Sequence, residues 1–162
     1  MLKNTGSKAQ MEIDSLDLKI LRELQRNAKI SNTRLAKQIN LSPSPCLARV
    51  KRLESQGILK RYVALLDPAL AGLTLNVFIF ITLKTQTRSQ LIDFESRINQ
   101  HAQVMECYLM TGTEDYLIRV VMPDVASLER FIIDDLSPMP EIEHIRSSIA
   151  LKQVRYKTEL PL

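Results

Sequence analysis

Two helical segments separated only by Asn40 and Leu41 constrain this chain more than any other feature. Ser31 is placed to cap a short helix in which Leu35, Ala36 and Ile39 point inward. Ser42 is placed to cap the next, with Pro43 at the first helical position, where its missing N–H costs nothing. Gly57 follows the last periodic residue and suits the left-handed turn that closes a helix. An earlier helix opens at Asp14, with Asp17 near the positive end of its dipole, and carries Leu16, Ile20, Leu21, Leu24 and Ala28. Connections this brief rule out long antiparallel hairpins and predict the near-perpendicular packing of a helix-turn-helix.

The third helix has two unlike sides. Cys46, Val50 and Leu53 recur at i, i+4 and i+7 as an apolar stripe, and off it stand Ser44, Ala48, Arg49, Lys51 and Arg52. Such a helix anchors by one side and offers hydrogen-bond donors and positive charge on the other. A solvated cationic surface helix has the same composition, but the turn in front of this one favours a recognition helix for double-stranded DNA. Charge is divided accordingly. Residues 1–66 hold 13 Lys and Arg against 5 Asp and Glu, a balance of +8, whereas residues 67–162 hold 9 against 13, a balance of −4. A basic nucleic-acid module followed by a part with another role is the expectation.

After Gly57, residues 58–66 read as extended, either a short wing or the strand leading out of the module, and Asp67-Pro68 stops them. The second half changes character. Val77 to Leu83 is a buried strand, and Leu91, Phe94 and Ile98 mark a helix with Ile92 at its margin. Residues 104–111 and 116–122 are two strands joined by the turn Gly112-Thr113-Glu114-Asp115. A helix opens at Pro123-Asp124, carries Val125, Leu128, Phe131, Ile132 and Leu136, and ends at Pro138 and Pro140 before a last strand over 142–151. The predicted fold is α+β: an N-terminal (winged) helix-turn-helix joined to a C-terminal ferredoxin-like βαββαβ domain. The boundaries expected are a mobile tail over 1–11, the DNA-binding domain over 12–60, a linker over 61–74 and the second domain over 75–162. Neither side of the first strand is strongly polar, so the open sheet face is expected to form a homodimer interface.

Composition excludes several classes. With 45% hydrophobic and 25% charged residues the chain reads as soluble and globular. No apolar run reaches the ~18 residues of a membrane span, and a signal-peptide core is missing. Cys46 and Cys107 lie far apart and read as reduced thiols in a cytoplasmic protein, with Cys46 serving packing rather than redox sensing. His101 and His144 stand alone, as surface or edge residues, so no metal, cofactor or catalytic group is expected.

The motifs Asp14-Ser-Leu-Asp17, Ile30-Ser-Asn32, Leu41-Ser-Pro-Ser-Pro-Cys46-Leu-Ala-Arg49-Val-Lys-Arg52-Leu53, Tyr62-Val-Ala-Leu-Leu-Asp-Pro68 and Gly112-Thr-Glu-Asp115-Tyr116-Leu117 resemble the Lrp/AsnC family of amino-acid-responsive transcription regulators. The resemblance covers about residues 12–160. It implies a DNA-binding dimer that assembles further, commonly to an octamer. It also implies an amino-acid effector held in clefts between assembled ferredoxin-like domains, by Thr111, Gly112, Thr113, Asp115 and Tyr116 with a facing contribution from Ser147 and Ser148. Gly112 would let backbone amides approach a carboxylate, and Asp115 would pair with an α-amino group. On the DNA side, Ser44, Pro45, Ala48 and Arg49 are expected to face base edges. Ser42 stands at the helix head, and Lys51, Arg52, Asn32, Thr33 and Arg34 are expected to hold phosphates. Two rivals share the architecture: an architectural DNA-binding protein without an effector, and an enzyme that decarboxylates a tetrapyrrole. The isolated histidines disfavour the second.

Overall fold

Asp14 opens the first helix, α1 (Ser15–Arg26), through a reciprocal cap. Its Oδ1 accepts from the amides of Leu16 and Asp17 at 2.9 and 2.8 Å, and Asp17 Oδ2 accepts from the Asp14 amide at 3.1 Å. Three orphan donors are thereby satisfied by two aspartates. The structure, a computed structural model, describes residues 13–162, so the tail expected over 1–11 lies outside the described residues.

Ser31 Oγ accepts from the Arg34 amide and starts α2 (Asn32–Gln38). Asn40, at φ 58°, ends that helix: Leu41 N–H donates to Ala36 O at 2.9 Å and Asn40 N–H to Lys37 O at 3.4 Å. This is the Schellman arrangement, and Asn tolerates its left-handed residue. The stop for one helix therefore delivers the chain straight to Ser42, the N-cap of α3 (Pro43–Ser55). The Ser42 hydroxyl makes no cap hydrogen bond. Pro43 and Pro45 occupy the first and third helical positions and remove a donor that a cap oxygen normally engages. Gly57, at φ 73°, closes α3 with Ile58 N–H on Leu53 O at 3.0 Å. Ile20, Leu21, Leu24, Leu35, Ala36, Ile39, Cys46 and Leu53 form the buried core of the three helices.

The strand or wing expected over 58–66 is not formed: the segment is irregular, and no strand among the described residues supplies ladder partners. Ala28, expected on the first helix, lies beyond its end and is exposed. The chain divides into two units, the described residues up to Ala64 together with Arg155–Leu162, and Leu65–Val154. The final residues Arg155–Leu162 are compact with the first unit. They group with α1, where Arg22 Nε donates to Leu162 O at 2.7 Å and Leu160 N–H to Gln25 Oε1 at 2.6 Å.

The second unit runs β1 (Leu75–Leu83), α4 (Arg88–Ile98), β2 (Val104–Leu109), β3 (Tyr116–Met122), α5 (Val125–Arg130) and β4 (Ile142–Ile149). All pairings are antiparallel in the order β2-β3-β1-β4, the ferredoxin-like arrangement. The helix expected to continue to Leu136 changes type, because Phe131–Leu136 is π-helical. Its i→i+5 bonding, as from Ser137 N–H to Ile132 O at 2.9 Å, suits the spacing at which Phe131 and Leu136 are both buried. Val77, Ile79, Ile81 and Leu83 of β1 are buried with Phe94, Ile98, Leu128 and Phe131 in one cluster. The alternate residues Asn76, Phe78, Phe80 and Thr82 are half-buried on the sheet face that no helix covers. Among the described residues no helix is long and apolar enough to cross a membrane.

Candidate DNA interface and effector turn

Ser44, Leu47, Ala48 and Lys51 of α3 lie at i, i+3, i+4 and i+7 and are all exposed. Ser42 and Pro45 are exposed at the head of the helix, and Thr33 and Arg34 on α2. Leu47 was absent from the sequence-based site; following the outward period from Ser44 finds it.

Arg49 lies off this stripe. Its Nη1 donates to Asp14 Oδ2 at 2.5 Å and to Asp17 Oδ1 at 3.0 Å, while Arg52 Nη2 bonds the other Asp17 oxygen. Asp17 is fully buried, so both arginines are drawn to the start of α1. The base-reading role expected for Arg49 and the phosphate role expected for Arg52 do not match this placement. The acids that hold them come from another helix, up to 35 positions earlier, and periodicity within α3 carries no trace of them. The Asp17 amide, and after it the Arg49 guanidinium, hold the Asp14 carboxyl down at about 2. Asn32 also departs from its expected phosphate role. Its Nδ2 donates to Pro43 O at 2.8 Å, and its buried Oδ1 has no hydrogen-bond partner among the described residues. It ties α2 to the head of α3.

Residues 110–115 join β2 to β3, with Met110 N–H donating to Asp115 O at 2.8 Å. Thr111, Gly112 and Thr113 are exposed. Gly112 sits at φ 129°, and a Cβ there would meet nothing within 4 Å, so backbone conformation rather than space favours glycine. Asp115 does not offer its carboxylate to an amino group. It is 7% exposed, and its oxygens accept from the Leu83 amide at 2.7 Å and from Gln86 Nε2 at 2.6 Å. Tyr116 is likewise a core residue: its ring lies 4.5 Å from Phe94 and its hydroxyl donates to Glu95 Oε1 at 2.8 Å. Burial and then the Glu95 contact raise its pKa.

Ser147 pairs with Ile79 and Ser148 with Phe78, so the two serines point to opposite sheet faces and do not converge on one ligand. Ser147 lines a surface concavity of about 370 Å³ with Ile132, Ser137, Ile142, Glu143 and Ile145. The residue that ties the turn to β4 is Glu114, which accepts from Thr113 Oγ1 and from Arg146 Nη2, both at 2.6 Å. Arg146 also lies 4.1 Å over the Phe80 ring. Partners 32 positions apart leave no spacing signal in the sequence.

Cys46 is buried as expected of its stripe, and Cys107 is half-buried with its thiol pushed up to about 11 by burial and by Glu95; both are free. His144 is exposed, but His101 is more enclosed than a surface residue, edge-on to Phe131 at 5.3 Å. Among the described residues no group of three His, Cys, Asp or Glu is placed to hold a metal.

Residues 76–160 match the Lrp/AsnC ligand binding domain, and residues 13–60 match a winged helix-turn-helix DNA-binding family. The leucine-responsive regulatory protein of Haemophilus influenzae is 37% identical over 161 residues, 99% of this chain and 97% of that protein. The Bkd operon transcriptional regulator of Pseudomonas aeruginosa is 40% identical over 151 residues, 93% of this chain and 99% of that protein. A crystal structure of a transcriptional regulator from Neisseria meningitidis, in complex with L-Met, superposes with a TM-score of 0.88 at 35% identity, covering 93% of this chain and 97% of that one. Helix-turn-helix, ferredoxin-like sheet and similarity along nearly the whole length converge on one conclusion: the chain belongs to the Lrp/AsnC family and is a transcriptional regulator with a DNA-binding domain and a ligand-binding domain.

Proposed function

We propose that this regulator binds operator DNA as a homo-oligomer and that an amino acid bound at residues 111–113 modulates that binding. The observation that carries the reading is the exposed Gly112 turn, held from beneath by the buried Asp115 and Tyr116. A rigid seat with open backbone groups and the Thr111 and Thr113 hydroxyls suits the polar head shared by all amino acids. Glu114 holds the turn to β4 through Arg146, which leaves the open backbone groups of the turn to meet the amino-acid head. The Neisseria regulator crystallised with L-Met supports an amino acid as the ligand class.

On the DNA side, Ser44 and Ala48 face base edges, with Ser42 and Pro45 at the helix head, and Thr33, Arg34 and Lys51 hold phosphates. The half-buried Phe78 and Phe80 favour pairing of the open sheet faces in a homodimer, which assembles further to an octamer. Acting on the nucleoid, such a protein works in the cytoplasm.

The test is a thermal-shift screen of the whole protein against the twenty amino acids and cystine. A ligand specific to the folded state stabilises it by about 2.7 kcal/mol at a hundredfold excess over its Kd. The expected result is a clear shift with at least one amino acid, lost in Gly112→Val. A flat screen would overturn the effector reading and leave an architectural DNA-binding protein in its place. Light scattering with and without the hit tests the assembly: an effector at a subunit boundary shifts the oligomer distribution.

A further inference from the structure

We propose that Leu47 determines operator specificity by packing against the C5-methyl group of a thymine in the major groove, an inference that rests on α3 being the recognition helix. Leu47 is 42% exposed, while Cys46 and Leu53 of the same helix are fully buried. Nothing in the core of the three helices accounts for a large apolar side chain on the outer side. Its stripe neighbours Ser44 and Ala48 are short, so Leu47 stands above them, and Lys51 carries charge rather than shape. Arg49 and Arg52, the side chains best suited to read guanine, are held by Asp14 and Asp17. That leaves an outer stripe with one large apolar probe. Of the four base pairs' major-groove edges, only that of thymine offers an apolar group for it to touch.

Binding sites are first selected from random duplex DNA with the full chain. Each thymine of the selected site is then replaced singly by deoxyuridine, which removes only the methyl group, and Kd is measured by fluorescence anisotropy. At one thymine per half-site the replacement should weaken the parent about fourfold, the factor that corresponds to about 0.8 kcal/mol for one buried methyl. Leu47→Ala, which removes an exposed side chain and should melt with the parent, is expected to bind the two duplexes equally. Uridine replacement without effect on the parent at every position overturns the inference. So does Leu47→Ala that keeps the parent's sensitivity. In both cases weaker binding by Lys51→Ala shows that α3 still lies against DNA. A selection that enriches no sequence, together with unchanged affinity in Lys51→Ala, overturns the recognition-helix reading itself.

Discussion

Replacing Asp17 by asparagine should weaken the fold and strengthen nonspecific DNA binding at the same time. The Asp17 side chain is wholly buried, whereas those of Arg49 and Arg52 are 27% and 44% exposed. Neither arginine is stranded when the carboxylate is lost, so the roughly 3–5 kcal/mol of a stripped buried ion pair is the wrong scale. Charge-assisted hydrogen bonds contribute about 1.5–3 kcal/mol each, and solvent screening of the arginines brings that to about 1 kcal/mol per contact. The asparagine oxygen still accepts from the Asp14 amide, so the cap survives. The expected loss is about 2 kcal/mol. For a unit this small that lowers its melting transition by about 8–16 °C, read by far-UV circular dichroism. Arg49 keeps its ion pair with Asp14, but Arg52 loses the charge that holds it and becomes available to a phosphate, and that one new contact steepens the slope of log K against log salt by about 0.9. Anisotropy titrations on a random duplex over a salt series measure this, with Asp93→Asn as the control for net charge. A variant within about 0.5 kcal/mol of the parent, or one with the parent's salt slope, would refute the account of Asp17 as the restraint on Arg52.

Acid should release the contacts of Asp14 with the Asp17 amide and with Arg49. Because the folded-state pKa of Asp14 is depressed from 3.8 to about 2, its stabilising effect is complete above pH 3.8 and lost as the pH falls through about 2. The stability difference between the parent and Asp14→Asn should therefore be larger at pH 5 than at pH 2 in urea titrations, and an equal difference would contradict the linkage. At Asn40, whose φ is 58°, valine should cost about 1–2 kcal/mol, whereas glycine should match or exceed the parent's stability; urea midpoints rank the three. Asp115→Ala strands the buried Leu83 amide and should cost about 1–3 kcal/mol. It should also abolish the amino-acid shift without touching the ligand, and a variant that melts and responds like the parent would refute the anchoring role.

Much of the architecture is written in short-range sequence. Ser31, Asn40 and Gly57 mark the ends of α2 and α3 through backbone conformations and side-chain oxygens that act within a few residues. Alternation along β1 and the four-residue recurrence of Ile20, Leu24 and their neighbours place the cores. The family motif from Leu41 to Leu53 lies in such a local stretch, which is why DNA binding was legible from the chain alone. The partners of charged and polar side chains were not. Arg49 and Arg52 read as free cations until α1 brings Asp14 and Asp17 against them, and Asp115 reads as a turn acid until the end of β1 presents the Leu83 amide. Ser147 and Ser148 read as a pair until the strand pleat turns them apart. Helix and strand periods repeat over 3.6 and 2 residues and can be counted along a sequence. Which distant donor meets which acceptor depends on how those elements cross in space, and only the folded chain decides that.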